Sequence, residues 1–389
     1  MRPRLRSNSD PATEPCSNAV VDRPMARRRA LLRVPGMMLI ALFLMIAATS
    51  HPVTAASGKT GAPDSAVVLM YHRFGEDDVP ATNIRLEQFE QHLQILADGG
   101  YQVWPLSRIM DHLDRGETLP PRTVAITADD AYRSVMTEAW PRVRERGWTM
   151  TLFVATDAVD RGYSRFLDWD EIRRLRDEGM EIGGHSASHG HLAFLTARAA
   201  TADLERAATR LRAELGSVPD LFAYPFGEYG LNLREIVAKA GFRAAFGQHS
   251  GAIDGHRDRF DLPRFAMNEL YGSPDRFTLA VNSLPLPVTD AAPRETLARA
   301  GDRPTYSFRL APEMAARAGA LTCYHSTAGA PVPLTVEGAR IEFRSPAPLP
   351  PGRSRFNCTL PGPTETVGDR PALRWYWFGR QFVTPGGPD

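Results

Sequence analysis

From residue 67 to about residue 284, short apolar runs alternate with amphipathic stretches, and nothing else in the 389-residue chain restricts its fold as strongly. The runs 67–71, 124–127, 150–154, 180–182 and 221–224 read as buried strands. Between them Phe89, Leu93 and Leu96 precede Gly99, and Leu204, Leu211 and Leu215 precede Gly216. That is the spacing of helices with one face on a core and a glycine stop behind them. Segment 166–178 follows the same logic, with Asp168 ahead of Ile172 and Leu175 and Gly179 behind, and reads as a capped helix. Strand alternating with helix argues for repeated β-α units and a parallel sheet.

The pattern stops near residue 284, where Pro285, Pro287 and Pro293 punctuate a stretch with little apolar periodicity. Residues 285–304 read as a linker. Beyond it, runs such as 306–310, 341–343 and 373–378, separated by Pro and Gly, predict a small all-β, sandwich-like module over 305–389. Within it Trp375 and Trp377 share one face of a strand, with Tyr376 and Phe378 on the other. Such a run is more often a sandwich core than a sugar-stacking face, and both readings stand at this point. The formal net charge of +1 gives no basic field for nucleic acid.

The N-terminal segment 1–55 reads as an export signal: Arg27, Arg28, Arg29 and Arg33 precede an apolar run over 37–48 and then Val53-Thr54-Ala55, with cleavage expected after Ala55. The polar stretch before Met25 is unlike a signal, so translation is expected to start at Met25. An uncleaved membrane anchor is the alternative, but the apolar run is shorter than the roughly 20 residues that span a bilayer. Export, to the periplasm or the exterior, leaves only Cys323 and Cys358, a pair that an oxidising compartment would let close as a disulfide.

Three segments carry chemistry. Asp129 and Asp130 directly follow a strand, where adjacent side chains point to opposite sides and can take different tasks; a helix N-cap is the equally good alternative. His185 and His189, after Gly183-Gly184, have the spacing at which two imidazoles on one helical turn can hold a metal ion. With a carboxylate as third ligand the set leaves an open coordination position, as a catalytic metal requires. Phe222-Ala223-Tyr224-Pro225-Phe226-Gly227 is an aromatic strand end broken by proline, and on its own reads as core and turn.

Together, and in this order, the three segments resemble the polysaccharide deacetylase family, the NodB-type carbohydrate esterases, over residues 66–284. The resemblance implies a distorted (β/α)7 barrel and hydrolysis of N-acetyl groups on an amino-sugar polymer. It makes Asp129 the general base, and Asp130, His185 and His189 the ligands of a divalent metal, zinc or alternatively cobalt or nickel. The backbone N–H of Tyr224, beside Pro225, would be an oxyanion donor. The family's usual acid, a histidine on the last barrel strand, has no counterpart in 277–284. In the permuted biofilm poly-N-acetylglucosamine branch that strand comes first in the chain, and Val68-Leu69-Met70-Tyr71-His72 resembles it, which makes His72 the acid; the family also uses an arginine to orient the base, for which Arg264 in Asp261-Leu262-Pro263-Arg264 is the candidate. Ala131 stands where many members have glycine, so activity is expected to survive if Ala131 avoids positive φ. An N-acetylated polysaccharide is the implied partner, with an exopolysaccharide export system as a further one; a non-catalytic polysaccharide-binding scaffold is the alternative function.

Overall fold

The computed structural model describes residues 64–367 and 370–386. The export segment and the start at Met25 lie outside the described residues, among which no helix is long and apolar enough to cross a membrane.

The β-α region forms one curled, mostly parallel sheet. Its strands are β1 (Ser65–Tyr71), β2 (Thr123–Asp129), β3 (Thr151–Val154), β4 (Glu181–Gly184), β5 (Leu221–Ala223), β6 (Ala244–Phe246), β7 (Ile253–Asp254) and β8 (Phe265–Ala266), with the two-residue strand Gln102–Val103 added in parallel beside β2. The main path runs β7-β1-β2-β3-β4-β5-β6; only β7 on this path is antiparallel to its neighbour, and β8 joins β1 in parallel. β1 and β2 are buried almost end to end, as strands covered on both faces must be, which explains their unbroken apolar runs. The covering helices include α1 (Leu86–Asp98), α2 (Leu106–Arg115), α3 (Trp169–Asp177), α4 (Ala197–Leu215), α5 (Leu231–Lys239) and α6 (Pro274–Val281). α1 buries Phe89, Leu93 and Leu96, and α4 ends at Gly216 in the left-handed conformation. α3 starts later than the expected 166, because Asp168 is its N-cap in a capping box with Glu171, while Phe166 bridges back to Tyr132.

The C-terminal region forms two four-stranded sheets. One comprises β9 (Ser283–Pro285), β12 (Thr322–His325), β15 (Gly352–Val367) and β16 (Arg370–Thr384), in the order β9-β16-β15-β12. The other comprises β10 (Val288–Ala292), β11 (Thr305–Leu310), β13 (Thr335–Glu337) and β14 (Arg340–Arg344), in the order β10-β11-β14-β13. Tyr306 and Phe308 from one sheet and Phe356, Tyr376 and Phe378 from the other belong to a single apolar cluster. The alternation of β16 places Trp377 on the opposite face, where it joins the core of the parallel sheet and meets Phe265 edge-on at 5.3 Å. Gly379 lets β16 come this close, since any Cβ there would collide with the Ser250 carbonyl.

The stretch expected as a linker, 285–304, is instead built into the fold. Ser283, Leu284 and Pro285 pair with Trp375, Tyr376 and Trp377, β10 pairs with β11, and Leu297 bridges to Val383. Its prolines stand at strand ends and between strands, where a missing N–H does no harm. Cys323 and Cys358 face each other in the β12–β15 ladder and are disulfide-bonded.

Candidate active site

The parallel strands deliver three of the singled-out segments to one end of the sheet. β2 ends at Asp129; β1 lies beside it with Tyr71 in register with Ala128, so His72 follows at the same level. His72 Nε2 is 4.0 Å from Asp129 Oδ2. Arg264, just ahead of β8, donates from Nη1 to Asp129 Oδ1 at 2.7 Å and from Nη2 to Oδ2 at 2.8 Å, with further bonds to the Gly247 carbonyl and Thr127 Oγ1. Burial alone would raise the Asp129 carboxyl, but the Arg264 guanidinium outweighs it and holds the group below its ordinary value. Burial lowers the His72 imidazole, against the opposing pull of Asp130 and Asp129.

Asp130 leaves the strand in the left-handed region, φ 76°, and Ala131 follows at φ 59°, so the condition under which alanine was expected to be harmless there, a backbone without positive φ, is not met. Two consecutive left-handed residues throw the Asp130 side chain away from Asp129 and toward the histidines, at a strain of roughly 1–2 kcal/mol per residue. His185 Nε2 and His189 Nε2 lie 3.2 and 3.0 Å from Asp130 Oδ1. Their proximity does not come from a helical turn, as the spacing suggested: 185–191 is a loop with Ser186 at φ 65° and His189 at φ 52°. Asp203 on α4 shapes this loop by accepting the N–H of Ala187 at 2.8 Å and of Ser188 at 3.1 Å.

One ligand atom from each of Asp130, His185 and His189 lies within 4.8 Å of the others. Two of these atoms, Asp130 Oδ1 and His185 Nε2, are buried without a hydrogen-bond partner, which a cation between them would resolve. His185 Nδ1 stands 2.7 Å from the Ala223 carbonyl; that bond fixes the tautomer with the proton on Nδ1 and leaves the Nε2 lone pair facing Asp130. The donor set therefore fits a divalent cation of the zinc class.

Tyr224 and Pro225 are not at the surface of the site. The Tyr224 N–H donates to the Phe246 carbonyl at 3.0 Å, continuing the β5–β6 ladder, and its hydroxyl donates to the Phe260 carbonyl, so the oxyanion role expected of it is withdrawn. Phe226, one residue on and held at φ 57°, is the part of this motif that reaches the cleft, where it packs on His189 and stacks on His191 at centroid distances of 4.7 and 4.5 Å.

His72, Asp130 and His189 open into a cleft of about 730 Å³. Of its far wall the sequence singled out only Trp377: Tyr324, Arg353, Arg355, Asn357 and Trp377 all come from the C-terminal sheets. Trp377 lines it but is largely buried, its indole N–H donating to Asn357 Oδ1 at 2.9 Å, whereas Trp375 is not part of the lining. Tyr271 and Tyr324, about half exposed, are the open aromatic faces of the cleft.

Residues 116–245 match the family model described as polysaccharide deacetylase, a span that holds both aspartates and both histidines. The chain is similar to YxkH of Bacillus subtilis, a protein named after polysaccharide deacetylases, at 23% identity over 54% of this chain and 74% of that one. It is 25% identical to poly-beta-1,6-N-acetyl-D-glucosamine N-deacetylase of Escherichia coli over 48% of this chain, but spans only 34% of that enzyme's length. The fold is shared with a deacetylase of Streptococcus pyogenes, PplD, solved with acetate: TM-score 0.53 and 20% identity over 57% of this chain and 99% of that one. Three motifs on one rim of a curled parallel sheet and a family match centred on them lead to one assignment: residues 116–245 carry a polysaccharide deacetylase domain.

Proposed function

We propose that this protein hydrolyses N-acetyl groups on an amino-sugar polysaccharide of the poly-N-acetylglucosamine type, outside the cytoplasm. The observation that carries this reading is the meeting, at one cleft, of the Asp130–His185–His189 cation site with the buried Asp129–Arg264 pair and His72. Asp130, His185 and His189 would hold a divalent ion, which when bound would supply Lewis acidity for the acetamide carbonyl and for water. Asp129, oriented by both arms of Arg264, accepts the proton of the attacking water at a carboxylate oxygen. His72, neutral at rest because of its burial, takes up that proton through a water bridging the 4.0 Å gap and delivers it from Nε2 to the departing amine. Tyr271 and Tyr324 offer apolar faces for sugar rings. The Cys323–Cys358 disulfide supports an oxidising compartment, in keeping with the export signal read in residues 1–55.

The test is acetate release from β-1,6-linked N-acetylglucosamine oligomers and from chitooligosaccharides, with zinc, cobalt or nickel supplied and Asp129→Asn as control. Release that disappears in Asp129→Asn supports the deacetylase. No release from either sugar with any of the metals, from protein with a cooperative unfolding transition, sinks it in favour of a binding or export-scaffold role.

A further inference from the structure

The cleft walls differ in charge. On the barrel side the one carboxylate in the lining is Asp130, already turned to the cation site. Opposite it, β15 alternates strictly: Phe356, Cys358 and Leu360 face the sandwich core, and Arg353, Arg355 and Asn357 face the cleft. Arg276 on α6 completes this wall, its guanidinium 5.3 Å over Phe265 and 5.7 Å over Trp377.

The three arginines are not equivalent. Arg353 is 3.2 Å from Glu228. Arg355 donates Nε to the neutral Gln381 at 2.8 Å, and neither Arg355 nor Arg276 pairs with a carboxylate among the described residues. Arg276 Nη1 is buried without any hydrogen-bond partner. Burial and the like charge of Arg353 lower Arg355 to about 10, and burial lowers Arg276, so both lie where a cation is disfavoured. Tyr271 lines the same cleft as both guanidinium groups. Uncompensated, half-buried arginines facing a ligand-sized cleft are the arrangement that recognises a carboxylate or phosphate, because planar forks bind such oxygens in pairs.

We propose that Arg276 and Arg355 form an anion subsite, so that the polymer this protein acts on is an anionic glycan carrying a carboxylate or phosphate near the N-acetylated sugar. Position gives the spacing. Arg353 packs on Phe226 at 5.3 Å, and Phe226 packs on the metal-site residue His189 at 4.7 Å. Arg355 lies one strand repeat, about 7 Å, beyond Arg353. The charge therefore sits along the cleft beyond the cation site, and a uniformly neutral N-acetylglucosamine polymer leaves both arginines unsatisfied. The inference rests on the deacetylase reading for the acetamide and replaces the neutral polymer named there by an anionic one, while charge recognition itself is measured by binding.

The experiment compares three oligosaccharides of equal length by calorimetry and by acetate release: a neutral N-acetylglucosamine oligomer, an alternating N-acetylglucosamine–glucuronic acid oligomer, and an N-acetylglucosamine oligomer bearing a phosphodiester. The expected result is binding of a charged oligomer about tenfold or more tighter than the neutral one, a preference that shrinks with added salt. Arg355→Gln and, as an independent barrel-side variant, Arg276→Gln should each cut that preference severalfold, while Arg355→Lys keeps part of it. Whichever charged oligomer binds tighter identifies the anion as uronate or phosphate. Equal or weaker binding of both charged oligomers overturns the subsite, even if acetate is released. Charge-selective binding without acetate release from any oligomer keeps the subsite and sinks the deacetylase reading instead.

Discussion

Arg264 grips Asp129 with both arms of its guanidinium, at 2.7 and 2.8 Å, and both side chains are fully buried. A planar fork on a carboxylate fixes the plane of that carboxylate as well as its charge, and lysine cannot reproduce it. Arg264→Lys is expected to lower kcat by about 100-fold, with a smaller effect on KM, because a base misplaced by a fraction of an ångström loses most of its advantage. Arg264→Gln leaves the Asp129 charge buried and unpaired, which costs about 3–5 kcal/mol in denaturant unfolding. The pH dependence has a definite sign. The Asp129 carboxyl is depressed in the folded protein, so its pairing stabilises above the unfolded value of about 3.9 and fades as pH falls through the lower folded value. In Arg264→Gln the acid limb of the kcat/KM profile should move to higher pH. An unmoved limb would mean that another group sets it.

Three buried histidines away from the cation site, His92, His249 and His325, make stability fall in mild acid. His92 is sandwiched between the Tyr71 hydroxyl and the Gly272 carbonyl and stacked on Phe277, and His249 is buried beside Asp261. Burial brings each imidazole down to about 4. The unfolded chain, titrating near 6.5, therefore takes up these protons first as pH falls. Their stabilisation is complete above about pH 6.5 and declines toward pH 4, by roughly 2 kcal/mol per histidine at about pH 5. Burial brings His325 to about 4 as well, so urea unfolding at about pH 7.5 and about pH 5 should show the summed loss, and His92→Gln should flatten it by about a third. A His92→Gln slope equal to that of the unmodified protein would contradict the account.

Legibility followed the range of the interactions. β1 to β5 were readable because burial on both faces of a parallel strand writes an unbroken apolar run into the chain. Asp129, Asp130, His185 and His189 were readable as residue types at strand ends. The backbone that aims them was not: Asp130, Ala131, Ser186, His189 and Phe226 all take positive φ without being glycine, a conformation that no local propensity favours and that the surrounding packing imposes. The role expected of the Tyr224 N–H failed because the ladder to Phe246 joins strands about 20 residues apart. The second wall of the cleft depends on β15 folding back onto a sheet more than 100 residues earlier. The alternation of Arg353, Arg355 and Asn357 with Phe356 and Cys358 was present in the sequence, but the surface it faces was not.

The disulfide fixes that wall. Cys323 pairs with Cys358, and the next pair in the same ladder, Tyr324 with Asn357, lines the cleft. The bridge closes a loop with a sequence separation of 35, worth about 4 kcal/mol in the chain-entropy account. Cys323→Ala/Cys358→Ala should lose stability on that scale. It should also raise KM for long oligomers more than for a single N-acetylated sugar, since the wall it loosens lies beyond the cation site. Equal effects on both substrates would place the β12–β15 ladder outside substrate binding.

Asp203 ties the metal-ligand loop to α4. Its carboxylate, almost fully buried, accepts the Ala187 and Ser188 amides at 2.8 and 3.1 Å and is itself held by Arg206 at 3.0 Å. Both amides lie between His185 and His189, so the distance separating the two imidazoles depends on a side chain that touches neither. Asp203→Ala leaves two buried donors unpaired, at about 1–3 kcal/mol each, and frees the loop to relax out of its two left-handed residues. Zinc affinity measured by calorimetry should fall about 10–100-fold, the scale seen when a partner behind the ligands is removed. Asp203→Asn keeps one acceptor oxygen and should fall between the two. Unchanged zinc affinity in Asp203→Ala would show that His185, anchored through the Ala223 carbonyl, positions the site without help from the loop.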